Sequence, residues 1–184
     1  MTRDTVRASK FLSLVLRHKP EEIGLVLDQN GWADIDELVA KAGTRGVPLT
    51  RELIAEVVAT SDKQRFAIDA GGQRIRANQG HSVEIDLGLQ PQAPPDTLFH
   101  GTGEKSVAAI RAEGLKAGQR QHVHLSRDEE TAVKVGSRHG RPVVLRIAAG
   151  RMHEQGHAFF LSTNGVWLTD CVLSQFIQFP NETI

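Results

Sequence analysis

The stretch LGLQPQAPPD, residues 87–96, constrains this chain more than any other part of it. It holds three prolines and follows neither a helical nor a strand period, so no regular element can run through it. The chain must therefore fold on either side, and the 184 residues divide into two lobes of similar size. We expect lobes at 1–88 and 97–184, joined by a proline-rich linker at 89–96. Hydrophobic residues make up 40% of the chain, enough for each lobe to bury a core.

The first lobe reads as helices followed by a hairpin. In DTVRASKFLSLVLRH, Val6, Phe11, Leu12, Val15 and Leu16 fall near one stripe, Asp4 or Thr2 can cap it, and Pro20 stops it. GLVLDQNGWADIDELVAKAG predicts a short strand, a turn at Asn30-Gly31, and a helix capped by Asp34 and ended by Gly43. PLTRELIAEVVATSD predicts a third helix with Thr50 as its cap. RFAIDAGGQRIRANQG alternates on both sides of Gly71-Gly72, which is a hairpin signal. Three helices and a two-stranded wing describe a winged helix-turn-helix, a fold that does not by itself establish a function.

Beyond the linker, strands outnumber helices. TLFHGT, HVHLS, PVVLRIAA, AFFLSTNGVWLT and CVLSQFIQF read as strands, and EKSVAAIRAEG and DEETAVKVGSRHG as helices. The spacing lacks a regular βαβ alternation, so an α+β lobe on a split, mostly antiparallel sheet is expected.

Charge and cysteine content narrow the partners. The 22 basic and 22 acidic residues cancel, and neither half is markedly basic, so any contact with nucleic acid must come through a local patch. A single cysteine, Cys171, rules out a disulfide framework within the chain and fits a reducing, cytoplasmic setting. No stretch has the length or apolarity of a signal peptide or membrane span.

Four motifs bear on chemistry. HEQGH, residues 153–157, matches the zinc-peptidase pattern, but that pattern needs a helix to place both imidazoles on one metal. Here Gly150 and Gly156 flank and interrupt it and β-rich sequence follows, so a zinc site is not expected. HVH puts His122 and His124 on one face of a strand. FHGTG, residues 99–103, ends a strand in a small turn where His100 can meet a ligand, although it has neither a dinucleotide fingerprint nor a P-loop lysine. Arg17, His18, Arg65 and Arg120 are scattered cations, each of which alone could be an ordinary surface or helix-end charge.

Taken together, these segments resemble a known family. FLSLVLRHKPEEIGLVLDQNGWADIDEL, DKQRFAI, RIRANQGHS, LFHGT, RQHVHLS, VLRI and FFLSTNGVWLT are similar, in order, to the signatures of the NAD-dependent RNA 2′-phosphotransferases, from about Ala8 to about Phe179. The resemblance implies a winged-helix RNA lobe and an ADP-ribosyltransferase-like NAD lobe, with the reaction in the cleft between them. It places the family's essential residues on Arg17, His18, Arg65 and Arg120. It places NAD against His100, Gly101, Thr102 and Ser126, with either His122 or His124 and Val166 completing a His-His-hydrophobic triad. Asn78, Gln79 and His81 are implied as RNA-side residues. The implied partners are NAD, as co-substrate, and RNA carrying a 2′-phosphate, with no metal and a monomeric enzyme. A phosphomonoester with a second pKa of ~6 is already anionic at neutral pH, so it can attack without a base, and Val166 can stand where related transferases keep a glutamate. An ADP-ribosyltransferase that caps terminal phosphates, and a regulator that senses a nucleotide, remain the alternatives.

Overall fold

A computed structural model describes residues 2–180, which form two compact units divided after Gly88, each with its own hydrophobic core. Both mix helices with small antiparallel sheets, and no sheet among the described residues closes into a barrel.

The first unit begins with α1 (Arg3–Arg17), whose Thr2 cap accepts a hydrogen bond from the Thr5 amide at 3.2 Å. Its buried face is Thr5, Ala8, Ser9, Leu12, Val15 and Leu16. This corrects the expected stripe. Val6 lies one residue, about 100° of helix, past Thr5 and is 39% exposed, while Phe11 only flanks the core. Pro20 opens a short 3₁₀ turn (Pro20–Ile23), which Gly24 ends in the left-handed conformation with φ 64°. The strand expected after Gly24 does not form. Instead the Asp28 carboxylate accepts the amides of Asn30 and Trp32, and drawing in these backbone donors makes a turn. The strand comes later, as β1 (Ala33–Asp34).

Two capped helices follow. In α2 (Ile35–Thr44) the Asp34 side chain accepts the Glu37 amide, and in α3 (Arg51–Ala59) the Thr50 side chain accepts the Leu53 amide. Gly43 lies inside α2 rather than ending it. The left-handed residue past the helix is Gly46, with φ 69°. Strands β2 (Phe66–Ile68) and β3 (Arg74–Ala77) form the hairpin, with Phe66 opposite Ala77, and β1 pairs with the other edge of β3.

The second unit is built around β4 (Leu98–Gly103), which pairs along its whole length with β7 (Pro142–Ile147). The remaining elements are α4 (Val107–Glu113), β5 (Leu115–Lys116), β6 (Val123–Leu125), α5 (Glu129–Gly136), α6 (Ala149–Glu154), β8 (Phe160–Leu161), β9 (Trp167–Thr169), β10 (Cys171–Val172) and β11 (Ile177–Gln178). They give a β11-β7-β4 sheet, a β6-β9-β8 sheet and a β10-β5 pair. A single antiparallel bridge, Phe99 to Ser126, ties the two larger sheets together. Leu98, Leu125, Leu145, Ile147, Met152, Phe159 and Phe176 fill the core.

Two departures concern elements that the sequence conceals. The strand expected through PVVLRIAA stops at Ile147, and Ala149 already begins α6. Gly150 is tolerated in that short helix because its amide donates to the Asp96 carbonyl at 3.1 Å and the Asp96 side chain fills the place of a Cβ. The proline-rich stretch is bound to this unit: the Gln92 amide donates to the Phe159 carbonyl at 2.8 Å, and Pro91 bridges to Phe160.

Candidate active site

In the first unit the end of α1 gathers Arg17, His18 and the backbone of Arg65. Arg17 closes the helix, its guanidinium lies 5.6 Å from the Phe66 ring, and its Nη2 donates to the Arg65 carbonyl at 3.2 Å. Arg65 itself follows Gln64, which holds a left-handed φ of 41°. A non-glycine residue there is strained, so the neighbouring structure must hold it. Asn78 does so. Its amide donates to the Arg65 carbonyl at 2.9 Å and its Nδ2 to the Gln64 carbonyl at 2.5 Å.

Four residues further on, the Ser82 amide donates to the Arg17 carbonyl at 2.9 Å, and the Ser82 hydroxyl meets His18 Nδ1 at 2.9 Å. The segment 78–82 therefore bonds to the backbone of Arg17 and Arg65 and to the His18 ring. Arg17, His18 and Arg65 are brought together by these bonds, and Asn78 belongs with them. Gln79 is half-buried, whereas Asn78 and His81 are 6% and 1% exposed. His81 faces inward, with Nε2 close to Gly31, and neither ring nitrogen has a hydrogen-bond partner. Burial, reinforced by the positive charges of Arg17, His18 and Arg76, pushes its pKa down to about 4, so it is neutral at physiological pH. The sequence does not single out Ser82. Its only signal is its place at the end of RANQGHS.

In the second unit, His100 projects from β4 where the two sheets meet. Its Nδ1 lies 3.0 Å from the His124 carbonyl, and a carbonyl can only accept, so Nδ1 carries the proton. Burial lowers the His100 pKa. The bond to His124 opposes that shift, and the charges of His139 and Arg120 add to it. Arg120 Nη1 donates to His124 Nδ1 at 2.9 Å, which fixes His124 as the Nε2–H tautomer. Burial thus favours the neutral form of His100, and the bond from Arg120 favours that of His124.

His122 turns elsewhere, edge-on to the Phe160 ring at 5.8 Å and 3.8 Å from an Asp170 carboxylate oxygen. Ser126 exchanges backbone hydrogen bonds with Phe99 at 2.9 and 2.7 Å, beside His100. The β6–β9 register, Leu125 opposite Trp167, brings Ser126 level with Val166 one step on. His100, His124, Arg120, Ser126 and Val166 therefore cluster at this sheet junction, and His122 stands apart.

Gly101 and Thr102 lie in β4 beneath α5, and Thr102 is buried. A Cβ on Gly101 would sit 1.7 Å from the Ala132 carbonyl oxygen, so this glycine is required by the packing of α5 on the strand. In HEQGH, α6 ends at Glu154 and leaves His157 outside it, against the Phe176 ring. No group of three or more metal-ligating side chains occurs among the described residues. A groove of about 600 Å³ in this unit is lined by Arg141, Val143, Arg146 and Phe179 among others, and includes none of the residues above. Its cations face its own acids, Arg141 to Glu104 at 3.4 Å and Arg146 to Glu129 at 3.5 Å.

Comparison with known proteins decides the family. The model of the RNA 2′-phosphotransferase, Tpt1/KptA family matches residues 3–171. The chain belongs to this family. A protein of Hahella chejuensis, named "Probable RNA 2′-phosphotransferase", is 58% identical over 92% of this chain and 91% of its own length. Proteins of the same name from Rhodopirellula baltica and Streptomyces coelicolor are 56% and 54% identical, over 97% and 96% of each chain. This RNA 2′-phosphotransferase family member is accordingly a transferase, and no helix among its described residues is long and apolar enough to cross a membrane.

Proposed function

We propose that this protein removes an internal 2′-phosphate, of the tRNA splice-junction type, from RNA by transferring it to NAD. The first unit is read as a winged-helix RNA lobe and the second as an ADP-ribosyltransferase-like NAD lobe, in a monomeric cytoplasmic enzyme. Family membership over residues 3–171 carries the RNA and phosphate part of this reading.

For NAD, the supporting observation is the neutral pair His100 and His124. Neutral imidazoles do not repel the cationic nicotinamide ring, and His100, with Nδ1–H on the His124 carbonyl, has Nε2 as an acceptor for a ribose hydroxyl or amide. His124 is favoured over His122 as the second histidine, because it is bonded to both His100 and Arg120.

In the first step the RNA phosphate attacks C1″ of the nicotinamide ribose, the C1″–N bond breaks, and nicotinamide leaves. Arg120 holds the attacking phosphate. In the second, the ribose O2″ hydroxyl attacks the same phosphorus and loses its proton to water, the bond to RNA O2′ breaks, and His18 gives a proton to that oxygen. Arg17 and Arg65 offset the charge that develops on phosphorus. The products are RNA with a 2′-OH and ADP-ribose 1″,2″-cyclic phosphate.

The test is incubation with NAD and an RNA bearing one internal 2′-phosphate. Both products should appear. An ADP-ribosylated RNA that persists would support a capping transferase instead, and failure to consume NAD would sink the proposal.

A further inference from the structure

The bond between Ser82 and His18 has a direction that chemistry can assign. When His18 carries two protons, its Nδ1–H needs an acceptor, and the Ser82 oxygen at 2.9 Å is that acceptor. The hydroxyl hydrogen must then turn to another oxygen. The Arg17 carbonyl, 3.4 Å from Ser82 Oγ, is in reach, and it is a carbonyl of the last helical turn, where intrahelical donors run out.

A surface serine usually exchanges such a bond for water. Here both ends are fixed. The Ser82 amide is bonded to the Arg17 carbonyl at 2.9 Å, the His18 amide to the Leu14 carbonyl at 3.0 Å, and buried His81 anchors the residue before Ser82.

We infer that Ser82 is a positioning residue that relays the His18 Nδ1–H to the Arg17 carbonyl, leaving Nε2 as the nitrogen that gives the proton in the second step. The inference rests on the reading of His18 as that acid. The Nε2–H proton passes to RNA O2′, and His18 is left neutral, still holding Nδ1–H on Ser82. The ring need not turn between its charged and neutral states.

Proton-detected ¹⁵N spectra of the whole protein, taken above the titration of His18, report which ring nitrogen is protonated. The expected result is Nδ1–H in the native protein, its loss in Ser82→Ala, and its recovery in Ser82→Thr. In single-turnover assays with NAD and 2′-phosphorylated RNA, Ser82→Ala should slow the second step roughly tenfold, the scale of one hydrogen bond to a charged group. ADP-ribosylated RNA should accumulate while nicotinamide release keeps its rate, and Ser82→Thr should restore the second step.

An Nε2–H tautomer in the native protein, or a Ser82→Ala spectrum unchanged from native, overturns the relay. So does a Ser82→Ala protein that slows both steps equally, because a merely structural loss would do that. If the tautomer changes as expected but no intermediate builds up, the relay stands and the acid role of His18 falls.

Discussion

The two units hold their reactive side chains by different means. In the first, backbone carbonyls are latched from a distance: Arg65 and Asn78 secure one another, and Ser82 secures Arg17. The second presses backbone onto backbone, with Gly101 and Gly103 letting α5 and the turn after it lie on β4 with no side chain between. A latch can lose one bond and weaken. A pressed contact has no intermediate setting, so a single methyl group separates the surfaces. Damage to the first unit should therefore be graded and chemical, and damage at the Gly101 contact in the second abrupt and structural.

The most severe test is Gly101→Ala. Its Cβ would lie 1.7 Å from the Ala132 carbonyl oxygen, so β4 and α5 must part. A loss of about 4 kcal/mol or more in denaturant unfolding is expected. A variant as stable as the native protein would end the distinction drawn above.

Acid should act next, on the first unit. Unfolded His81 takes up a proton near its ordinary 6.5, whereas the folded residue resists to about 4. The neutral ring's contribution is fully present above about pH 6.5 and drains away as pH falls toward 4, a change of about 3 kcal/mol. His81→Leu should flatten that part of the stability–pH curve. An unaltered curve would show that other groups cause it.

Arg120→Ala should slow nicotinamide release roughly ten- to hundredfold, or about 1.5–3 kcal/mol, with little change in stability. Equal activity in rapid-quench assays would remove Arg120 from the first step. The mildest change is Thr50→Ala, which removes the cap of α3. It should cost about 1 kcal/mol in thermal unfolding and leave turnover alone.

Much of this fold is legible in the sequence because its signals are local. Thr2, Asp34 and Thr50 cap helices within three residues of themselves, Pro20 stops α1, and Gly71-Gly72 sits in the hairpin turn. What is hidden depends on distant partners. Helix α6 contains Gly150, which argues against a helix until Asp96 is seen against it. The strand expected after Gly24 is lost to the Asp28 carboxylate, and β5 is two residues that exist only through pairing with β10.

The candidate site divides in the same way. Residue types and motif order single out Arg17, His18, Arg65 and Arg120, but spacing cannot choose between His122 and His124. The structure sets the two apart, because the His124 ring meets Arg120 and the His122 ring meets Phe160. Ser82 is silent in sequence because its role lies in partners 64 and 65 positions away.

Those separations also govern how the first unit acquires its working end. Helix α1 can begin to coil from its own local bonds, but its final carbonyl and the histidine beside it find their partner only after most of the unit has been synthesised and the intervening loop has closed. A nascent or partly unfolded chain would thus display the helix with His18 unaligned. The alignment of His18 on Ser82 arrives late in folding, and it would be among the first features lost when the unit opens.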